Sequence, residues 1–488
     1  DAIEVGPVRW LEGTQPLVDR RAGPRRPDGV PCTAGLSYHA SGSGWLVVRS
    51  ETGGWAHLNS QERLRLADPS SMGSDSLDAL WGRGLLAVDG QVAWLAEQRD
   101  EAITSTQDTF MLVLLLNEGC NLVCSYCYLG HASPAKTMSM SEKTARDAID
   151  DAVEGRHAKV LIDFGEIAVA EPVFRRLVPY AADRFAVAGK KLSMSIQTNG
   201  TTLDDELAKF LAYYGVTVGI SVDGPAHLHD AARTFRSGAG SHELAVDAIE
   251  RCKSLGIGVH IPVTIARHNV DHPEAVLSEI DRLRPGSHLL KPVLPEGEAG
   301  EDWQGQGISV EEYASFMARA VRRAAEIDLD LLDTTATKFL RRLVWDRRGL
   351  GDGCTSRQCS SGRTLQVVDR HGARHACPRF VSSSPAKVTK LTIRRRLPSP
   401  SADLLSPTLR TAPPTCGGCS WLQSCGGGCT LAARDPEGLT PLPDPNCPSH
   451  ISVHEALVEQ VLPILLDNGQ RPGRIAAGIR SVESGLLG

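Results

Sequence analysis

Three closely spaced cysteines place the strongest constraint on this chain. Cys120, Cys124 and Cys127 follow the spacing C-x3-C-x2-C, and the apolar run 110–116 leads directly into them. Three thiolates on one tight loop can bind three irons of a 4Fe–4S cluster and leave the fourth iron without a protein ligand. An open iron can coordinate a small molecule, so the loop predicts a reactive cluster.

The same loop admits two other interpretations. Three cysteines can bind zinc with a remote fourth ligand, and cysteines are also common as buried thiols. The loop nevertheless resembles the signature of the radical S-adenosylmethionine (SAM) enzymes. That resemblance implies that the open iron binds the amino and carboxylate groups of SAM. One electron then cleaves SAM to a 5′-deoxyadenosyl radical, which abstracts hydrogen from a substrate.

Eight more cysteines lie in the C-terminal third, in the pattern C…C…G-x4-C…C-x2-C-x5-C-x3-C…C. This pattern resembles the SPASM extension of peptide-modifying radical SAM enzymes, and eight thiolates are the right number for two further 4Fe–4S clusters. The resemblance implies a first auxiliary cluster bound by Cys354, Cys359, Cys377 and Cys429. It implies a second bound by Cys416, Cys419, Cys425 and Cys447.

Disulfides and zinc ribbons are the alternatives for these cysteines. Disulfides fit badly because the total of 13 is odd and C-x2-C spacings favour metal. A pair of zinc ribbons is the stronger alternative, although zinc would not explain the N-terminal loop equally well. Two cysteines are left over: Cys252 lies in a helical pattern and is predicted to be a buried thiol, and Cys32 has no evident partner.

Composition narrows the class of protein. A net charge of −6 and a pI near 6.2 argue against a general nucleic-acid binder. No stretch approaches the length of a membrane span. A chain of 488 residues is long enough for two or three domains. Iron–sulfur chemistry needs a reducing compartment, so we expect a cytoplasmic protein.

The middle of the chain alternates strands with helices, which predicts an α/β fold with a parallel sheet. Apolar strand-like runs occur at 110–116, 159–164, 192–197, 216–222, 258–265 and 288–292. Helical patterns cover 171–185, 203–214, 242–255, 272–283 and 310–327. A further helix is predicted to begin at Ser139, with a Ser139–Glu142 capping box. Six such units match the partial (β/α)6 barrel of the radical SAM family.

Candidate SAM-binding residues stand at the ends of these strands, where functional groups of parallel sheets cluster. Gly165 and Glu166 fall where the family has Gly-Gly-Glu-Pro, although Phe164 and Ile167 replace the first Gly and the Pro. A competing alignment uses Glu171 instead. The family likeness also marks the following four residues as candidate SAM contacts: Gln197, Ser221, Arg233 and Tyr126.

Simpler explanations stay open for several of these positions. Asn199-Gly200 and Asp223-Gly224 are ordinary turn sequences. Core packing accounts for Tyr126 as well as a contact with adenine does. The replacement of Gly by Phe164 is expected to narrow the approach to SAM.

The N-terminal hundred residues differ in character. Residues 1–35 are rich in Pro, Gly and Arg, which predicts poor order. A hairpin of 44–49 with 54–58, helices at 59–66 and 76–83, and a strand pair at 85–88 and 91–95 are predicted next. This order resembles the winged-helix-like domain that binds the leader of a precursor peptide as an added strand. A structural cap on the barrel is the alternative.

Four domains follow from these patterns. They are a flexible N-terminus with the leader-binding domain (1–105), the radical SAM partial barrel (106–330), the SPASM domain (331–455) and a C-terminal helix and tail (456–488). The C-terminal helix is predicted over 453–466.

We interpret the chain as a radical SAM peptide maturase with three 4Fe–4S clusters and SAM. Its predicted partners are a precursor peptide and an electron donor such as flavodoxin or ferredoxin, without nucleic acid or membrane. The predicted product is a side-chain cross-link. One alternative is an enzyme like the anaerobic sulfatase maturases. Those enzymes carry, after the cysteine that corresponds to Cys377, an Asp that serves as a base, whereas this chain has Pro378 there. Another is a non-catalytic iron–sulfur electron-transfer protein. The sequence does not identify the catalytic base.

Overall fold

The computed structural model describes residues 26–82, 84–92, 109–117, 119–128, 139–167, 170–345, 360–362, 364–378, 381, 414–429 and 443–467. Their contacts divide them into two compact units. The first draws on 1–107, 321–358 and 409–476, and the second on 108–320, 359–408 and 477–488. The predicted domains are contiguous, whereas these units are not, and the predicted boundaries stay predictions.

The first unit begins with six strands. They are β1 (Pro31–Cys32), β2 (Leu36–Ser41), β3 (Gly44–Arg49), β4 (Trp55–Leu58), β5 (Ala87–Val88) and β6 (Gln91–Val92). β2, β3 and β4 form an antiparallel sheet in that order, and β1, β5 and β6 form a second small sheet. The predicted β3–β4 hairpin is confirmed, with Trp45 opposite Leu58. β2 was not predicted.

Two helices connect the sheets of this N-terminal part. They are Ser60–Leu66 and Ser74–Gly82, close to the predicted spans. Asn59 caps the first helix: its side chain accepts from the N–H of Glu62, and Glu62 accepts from the N–H of Asn59. Poor order is predicted for residues 1–35. Of these, residues 1–25 lie outside the described residues.

The second unit is built on a parallel sheet. Its six consecutive strands are β7 (Thr109–Leu114), β8 (Lys159–Glu166), β9 (Lys191–Thr198), β10 (Val216–Ile220), β11 (Val259–Ile265) and β12 (Ser287–Pro292). All six predicted strands are confirmed. Two strands that were not predicted extend the sheet beyond β7, namely β13 (Leu365–Val368), which runs parallel to β7, and the antiparallel β14 (Arg374–His375).

Helices follow the strands as predicted. The main helices of this region are Glu142–Glu154, Glu171–Val187, Asp205–Tyr214, His242–Ser254, Pro273–Leu283 and Val310–Ile327. The predicted capping box at Ser139 is wrong. Ser141 is the N-cap, because its hydroxyl accepts from the N–H of Thr144 at 3.0 Å, and Glu142 pairs with Arg146 and Arg176 instead.

The C-terminal helical region starts earlier than predicted. Helix Cys447–Ala456 continues through a π-helical turn, Leu457–Val461, into Leu462–Asp467. A helix at Thr334–Trp345 was not predicted. In the described part of the chain, no helix has both the length and the apolarity needed to cross a bilayer.

Candidate iron–sulfur and S-adenosylmethionine site

The loop 119–128, which carries Cys120, Cys124 and Cys127, leaves the carboxyl end of β7 and is fixed on two sides. Asn117 donates to the carbonyl of Glu166 at 3.0 Å and accepts from the N–H of Gly119 at 2.7 Å. On the other side, the N–H groups of Val123 and Ser125 donate to the segment 232–234 at 2.8 and 3.0 Å. Backbone carbonyls therefore hold the loop on both sides, from Glu166 at the end of β8 and from the segment 232–234.

Asn199, at the end of β9, links the loop to the second strand of the sheet. Its amide nitrogen lies 3.4 Å from Sγ of Cys120 and 2.8 Å from the side-chain oxygen of Asn121. Its backbone N–H donates to Oε2 of Glu166 at 3.1 Å. In the sequence, turn chemistry was the simpler explanation that stayed open for Asn199-Gly200. The position at a strand end was the signal that marked it as more than that.

The thiols of this loop are half-buried, which affects their protonation. Burial raises the pKa of Cys120, and the nearby Glu166 carboxylate raises it further. Burial raises the pKa of Cys124 to about 12, although Arg233 opposes the shift. Iron binds thiolates, so we expect cluster loading to release protons from these cysteines.

The Gly165–Glu166 corner supports the alignment that uses Glu166. Gly165 has φ +59°, a left-handed conformation that favours glycine, and it turns the chain at the end of β8. Glu166 then faces Asn199, whereas Glu171 starts the next helix and pairs with Arg175 at 2.7 Å. The competing alignment has no support from this geometry.

Phe164 does not narrow the approach to this corner. Its ring is fully buried and packs edge-on against Phe174 of the neighbouring helix at 5.2 Å. Ile167 is also buried. The expectation of a narrowed SAM approach is therefore wrong, because the side chain at 164 points into the layer between sheet and helix.

Gln197 and Ser221 occupy neighbouring strand ends. Gln197 is paired with Glu166 in the β8–β9 register, and its side-chain amide lies over Gly219, where any Cβ would collide with it. Ser221 follows β10, and its N–H donates to the carbonyl of Thr198 at 3.1 Å. Both predicted residues therefore lie along the edge of the sheet that bears the cysteine loop.

Tyr126 and Arg233 meet on one buried carboxylate. The hydroxyl of Tyr126 donates to Asp223, and Arg233 binds the same side chain with Nε at 2.8 Å and Nη2 at 3.3 Å. Burial alone would raise the pKa of Asp223, but Arg233 and His268 together outweigh it and hold that pKa below its usual range. This group packs one flank of the cysteine loop.

His268 joins the same group and was not predicted. Its ring stacks on Tyr126 with centroids 5.5 Å apart, and Nε2 lies 3.6 Å from Asp223, beyond hydrogen-bonding distance. His268 follows β11, and this position at a strand end was the signal available in the sequence. Tyr126 is therefore packed in the core here, and its contact with adenine stays a prediction.

The loop after β12 packs against the cysteine loop at Cys127. The N–H of Glu298 donates to the carbonyl of Cys127 at 2.9 Å. Gly297 has φ +55°, and a Cβ there would lie on the carbonyl oxygens of Cys127 and Tyr128. Only glycine permits this close approach.

Six of the eight auxiliary cysteines are described, while Cys354 and Cys359 lie outside the described residues. Cys377 follows β14 in the second unit. In the first unit, burial raises the pKa of Cys447, and nearby Cys416 and Cys419 raise it further. Burial likewise raises the pKa of Cys425 to about 12, and Cys447 adds to this shift. Cys447 is thus near each of the other three thiols that the family likeness assigns to one 4Fe–4S cluster.

Asp444 organises these cysteines and was not predicted. One carboxylate oxygen accepts from the N–H of Cys429 at 2.5 Å, and the other accepts from Asn446 at 2.8 Å, next to Cys447. Gly428 is required beside it, because a Cβ there would collide with the carboxylate. The sequence gives no signal for this role beyond proximity to Cys447.

No three His, Cys, Asp or Glu side chains within the described ranges converge as ligands of a single metal ion. A structural zinc site draws four ligands to about 2.3 Å of one ion. In a cluster, each thiolate binds its own iron. Zinc ribbons stay the alternative prediction for the C-terminal cysteines.

A family model described as the radical SAM superfamily matches residues 114–280. The chain is 29% identical over 345 residues to mycofactocin maturase MftC of Mycobacterium tuberculosis (strain ATCC 25618 / H37Rv), covering 68% of this chain and 81% of that protein. It is 23% identical over 211 residues to the serine-type anaerobic sulfatase-maturating enzyme of Klebsiella aerogenes, covering 42% and 52%.

A solved structure, native anSMEcpe with bound AdoMet, superposes with a TM-score of 0.59 at 20% identity, covering 74% of this chain and 99% of that one. At this identity the match shows the fold. Together, the comparisons confirm the predicted resemblance to radical SAM peptide maturases and the prediction of an enzyme. They imply a 4Fe–4S cluster and SAM, while the number of clusters stays a prediction.

Proposed function

We propose that this radical SAM enzyme modifies a ribosomally made precursor peptide by forming a side-chain cross-link. The observation that carries the proposal is the joint placement of the Cys120–Cys127 loop and Glu166 at the carboxyl edge of the parallel sheet, linked through Asn199. Relatives named as maturases support a peptide or protein substrate.

Cys120, Cys124 and Cys127 would hold the reactive cluster. When bound, this cluster and SAM together supply a radical that removes a hydrogen atom from the substrate. The chain's own contribution is to fix the three thiols before binding, through the backbone contacts of 232–234 and of Glu298. Preorganisation of this kind lowers the cost of ordering the site on binding.

Glu166 would accept a hydrogen bond from the SAM amino group. Its two oxygens already accept from the N–H groups of Ile167 and Asn199, which fixes the carboxylate and leaves further lone pairs. Gln197 and Ser221 stand on the next strands along the same edge. Arg233 uses two N–H groups on Asp223 and keeps others for the SAM carboxylate.

The eight C-terminal cysteines would hold two auxiliary clusters, which would supply one-electron redox chemistry next to the substrate site. The precursor would bind through its leader to the N-terminal sheet of β2, β3 and β4. A solved structure of anSMEcpe contains the Cp18Cys peptide, which supports a peptide-binding role for this class. The electron donor would be a flavodoxin or ferredoxin.

The alternatives are weaker. The Klebsiella relative favours a reaction like that of the sulfatase maturases. This chain, however, has Pro378 where those enzymes carry the Asp that serves as a base. The hypothesis of a non-catalytic electron-transfer protein is suggested by the altered motif 164–167, in which Phe164 and Ile167 replace the family's Gly and Pro. The buried Phe164 ring removes that argument, and the chain is an enzyme.

The test uses the purified protein, loaded with iron and sulfide under anaerobic conditions and supplied with SAM, dithionite and any short peptide that is encoded beside its gene. We expect release of 5′-deoxyadenosine and a peptide lighter by about two hydrogens per event, because one abstraction and one oxidation remove two hydrogens. Release of 5′-deoxyadenosine with an unchanged peptide would contradict peptide cross-linking. A protein substrate would then be the expected target.

A further inference from the structure

Helix Cys447–Ala456 presents a cysteine and a histidine on one face. Cys447 is its first residue and His450 lies at the i+3 position, so the two side chains are neighbours. His450 is 8% exposed, and its Nδ1 lies 3.4 Å from Sγ of Cys425. Cys425 and Cys447 belong to the same proposed cluster.

The direction of this hydrogen bond follows from the chemistry of the sulfur. A thiolate bound to iron has no proton, so it can only accept. Nδ1 of His450 must therefore carry the hydrogen. Reduction adds negative charge to a cluster, and an N–H dipole directed at its sulfur stabilises that charge. Hydrogen bonds to sulfur are among the factors that set cluster potentials.

The position of His450 is determined from three sides. Phe339 packs edge-on against its ring at 5.2 Å. The backbone carbonyl of His450 accepts from Nδ1 of His454 at 2.7 Å. Nε2 of His454 then has a lone pair and accepts from the hydroxyl of Ser424, the neighbour of Cys425, at 2.7 Å. The helix and the Cys425 segment are thus tied together around the N–H···S contact.

A positively charged side chain, Arg342, contacts the segment that carries Cys425. Nη1 of Arg342 donates to the carbonyl of Ser424 at 3.1 Å, and this guanidinium is only 5% exposed. Its field favours negative charge on Cys425, as the N–H dipole does. Both groups act on the sulfur side of the proposed cluster.

We propose that His450 is a positioning residue that donates an N–H···S hydrogen bond to Cys425 and so raises the reduction potential of the cluster bound by Cys416, Cys419, Cys425 and Cys447. The inference rests on the proposed function, because it assumes this auxiliary cluster.

The test compares two variants of the full-length, iron-loaded protein by redox titration followed by electron paramagnetic resonance. His450→Phe keeps a ring of similar volume against Phe339 but removes the N–H. His450→Asn keeps an N–H donor near the position of Nδ1. We expect one cluster transition to move to a more negative potential in H450F and to stay close to wild type in H450N.

Phe339→Leu is the matched control, since it changes the packing of His450 and leaves its N–H in place. An unchanged potential in F339L supports the hydrogen bond as the cause. Equal shifts in H450F and H450N, or no shift in H450F at full iron content, would overturn the inference. The redox titration needs no peptide. A shifted reduction potential together with an unmodified peptide would therefore contradict the proposed function and still support the inference. Iron near four per chain would instead remove the auxiliary clusters themselves, and the inference with them.

Discussion

The two cysteine-bearing regions of this protein are built differently. The loop 119–128 sits on the edge of a parallel sheet, and its contacts come from residues that follow β8, β9, β10 and β12. The auxiliary segment, defined as 414–429 with 443–467, has a short 3-10 turn and a four-residue helix before its long helix. It depends on single polar groups such as Asp444.

This difference indicates which region can be ordered without metal. The sheet strands bury their own apolar side chains, so the loop inherits a folded platform whether or not iron is present. The part of the auxiliary segment between Cys416 and Cys447 has little apolar sequence, and metal cross-links would supply much of its folding energy. The helical region after Cys447 buries its own apolar side chains. The following predictions test this contrast.

The largest expected effect is the loss of SAM cleavage in Cys124→Ala, because the reactive cluster loses one of its three ligands. Release of 5′-deoxyadenosine, measured by chromatography, should fall to background. Cys252→Ala is the control: Cys252 is fully buried in helix His242–Ser254 and should be dispensable for cleavage. Cleavage that survives in C124A would refute the assigned ligand set.

The second effect concerns the sheet platform. Asp223→Asn leaves Arg233 buried without its partner, which should cost about 3–5 kcal/mol of unfolding free energy. Urea denaturation of the metal-free protein, followed by circular dichroism, measures it. Asp147→Asn removes the exposed Lys143 pair and should have no measurable effect. Comparable losses in both variants would argue against a special role for the buried pair.

The third effect concerns the auxiliary segment. Asp444→Ala removes the acceptor for two backbone N–H groups, at a cost of about 1–3 kcal/mol. Iron should fall from about twelve to about eight per chain, because one four-iron cluster is lost. Asp204→Ala removes a helix N-cap in the second unit and should leave the iron content unchanged. Full iron loading in D444A would contradict the metal-dependent description of this segment.

The smallest effect is pH-dependent and needs no metal. Burial would raise the pKa of Glu279, but hydrogen bonds from Arg282 and His242 outweigh it and lower the pKa to about 2. Because the folded pKa lies below the unfolded value of about 4.3, the stabilisation is complete above that value and disappears as the pH falls towards 2.

Glu279→Gln should therefore be less stable than wild type at neutral pH, by about 1–2 kcal/mol after allowance for solvent screening. The difference should shrink between pH 4.3 and pH 2. Thermal denaturation of both metal-free proteins across this range is the measurement. A difference that stays constant with pH would show that the Glu279 carboxylate is not the cause.

Much of the sheet unit could be predicted from the sequence. The six strands are runs of buried apolar residues, and such runs need no tertiary information to be recognised. Helix starts were less certain: Ser139 and Ser141 both precede an apolar pattern, and the contacts of Glu142 with Arg146 and Arg176 decide between them. β13 was missed because four residues carry too little pattern, and its partners in β7 lie 254 residues earlier in the chain, as in the pair Leu365 and Met111.

The sequence by itself determined the cysteine spacings, the alternation of strands and helices, and hence the type of cofactor this protein is expected to carry. These features are local, because they depend on neighbours within one strand, helix or loop. The tertiary structure alone decided that Phe164 points away from the site, that Asn199 contacts Cys120, and that His450 contacts Cys425. Each of these contacts joins residues of different elements, and a pattern within one element carries no information about which groups of other elements the fold brings against it.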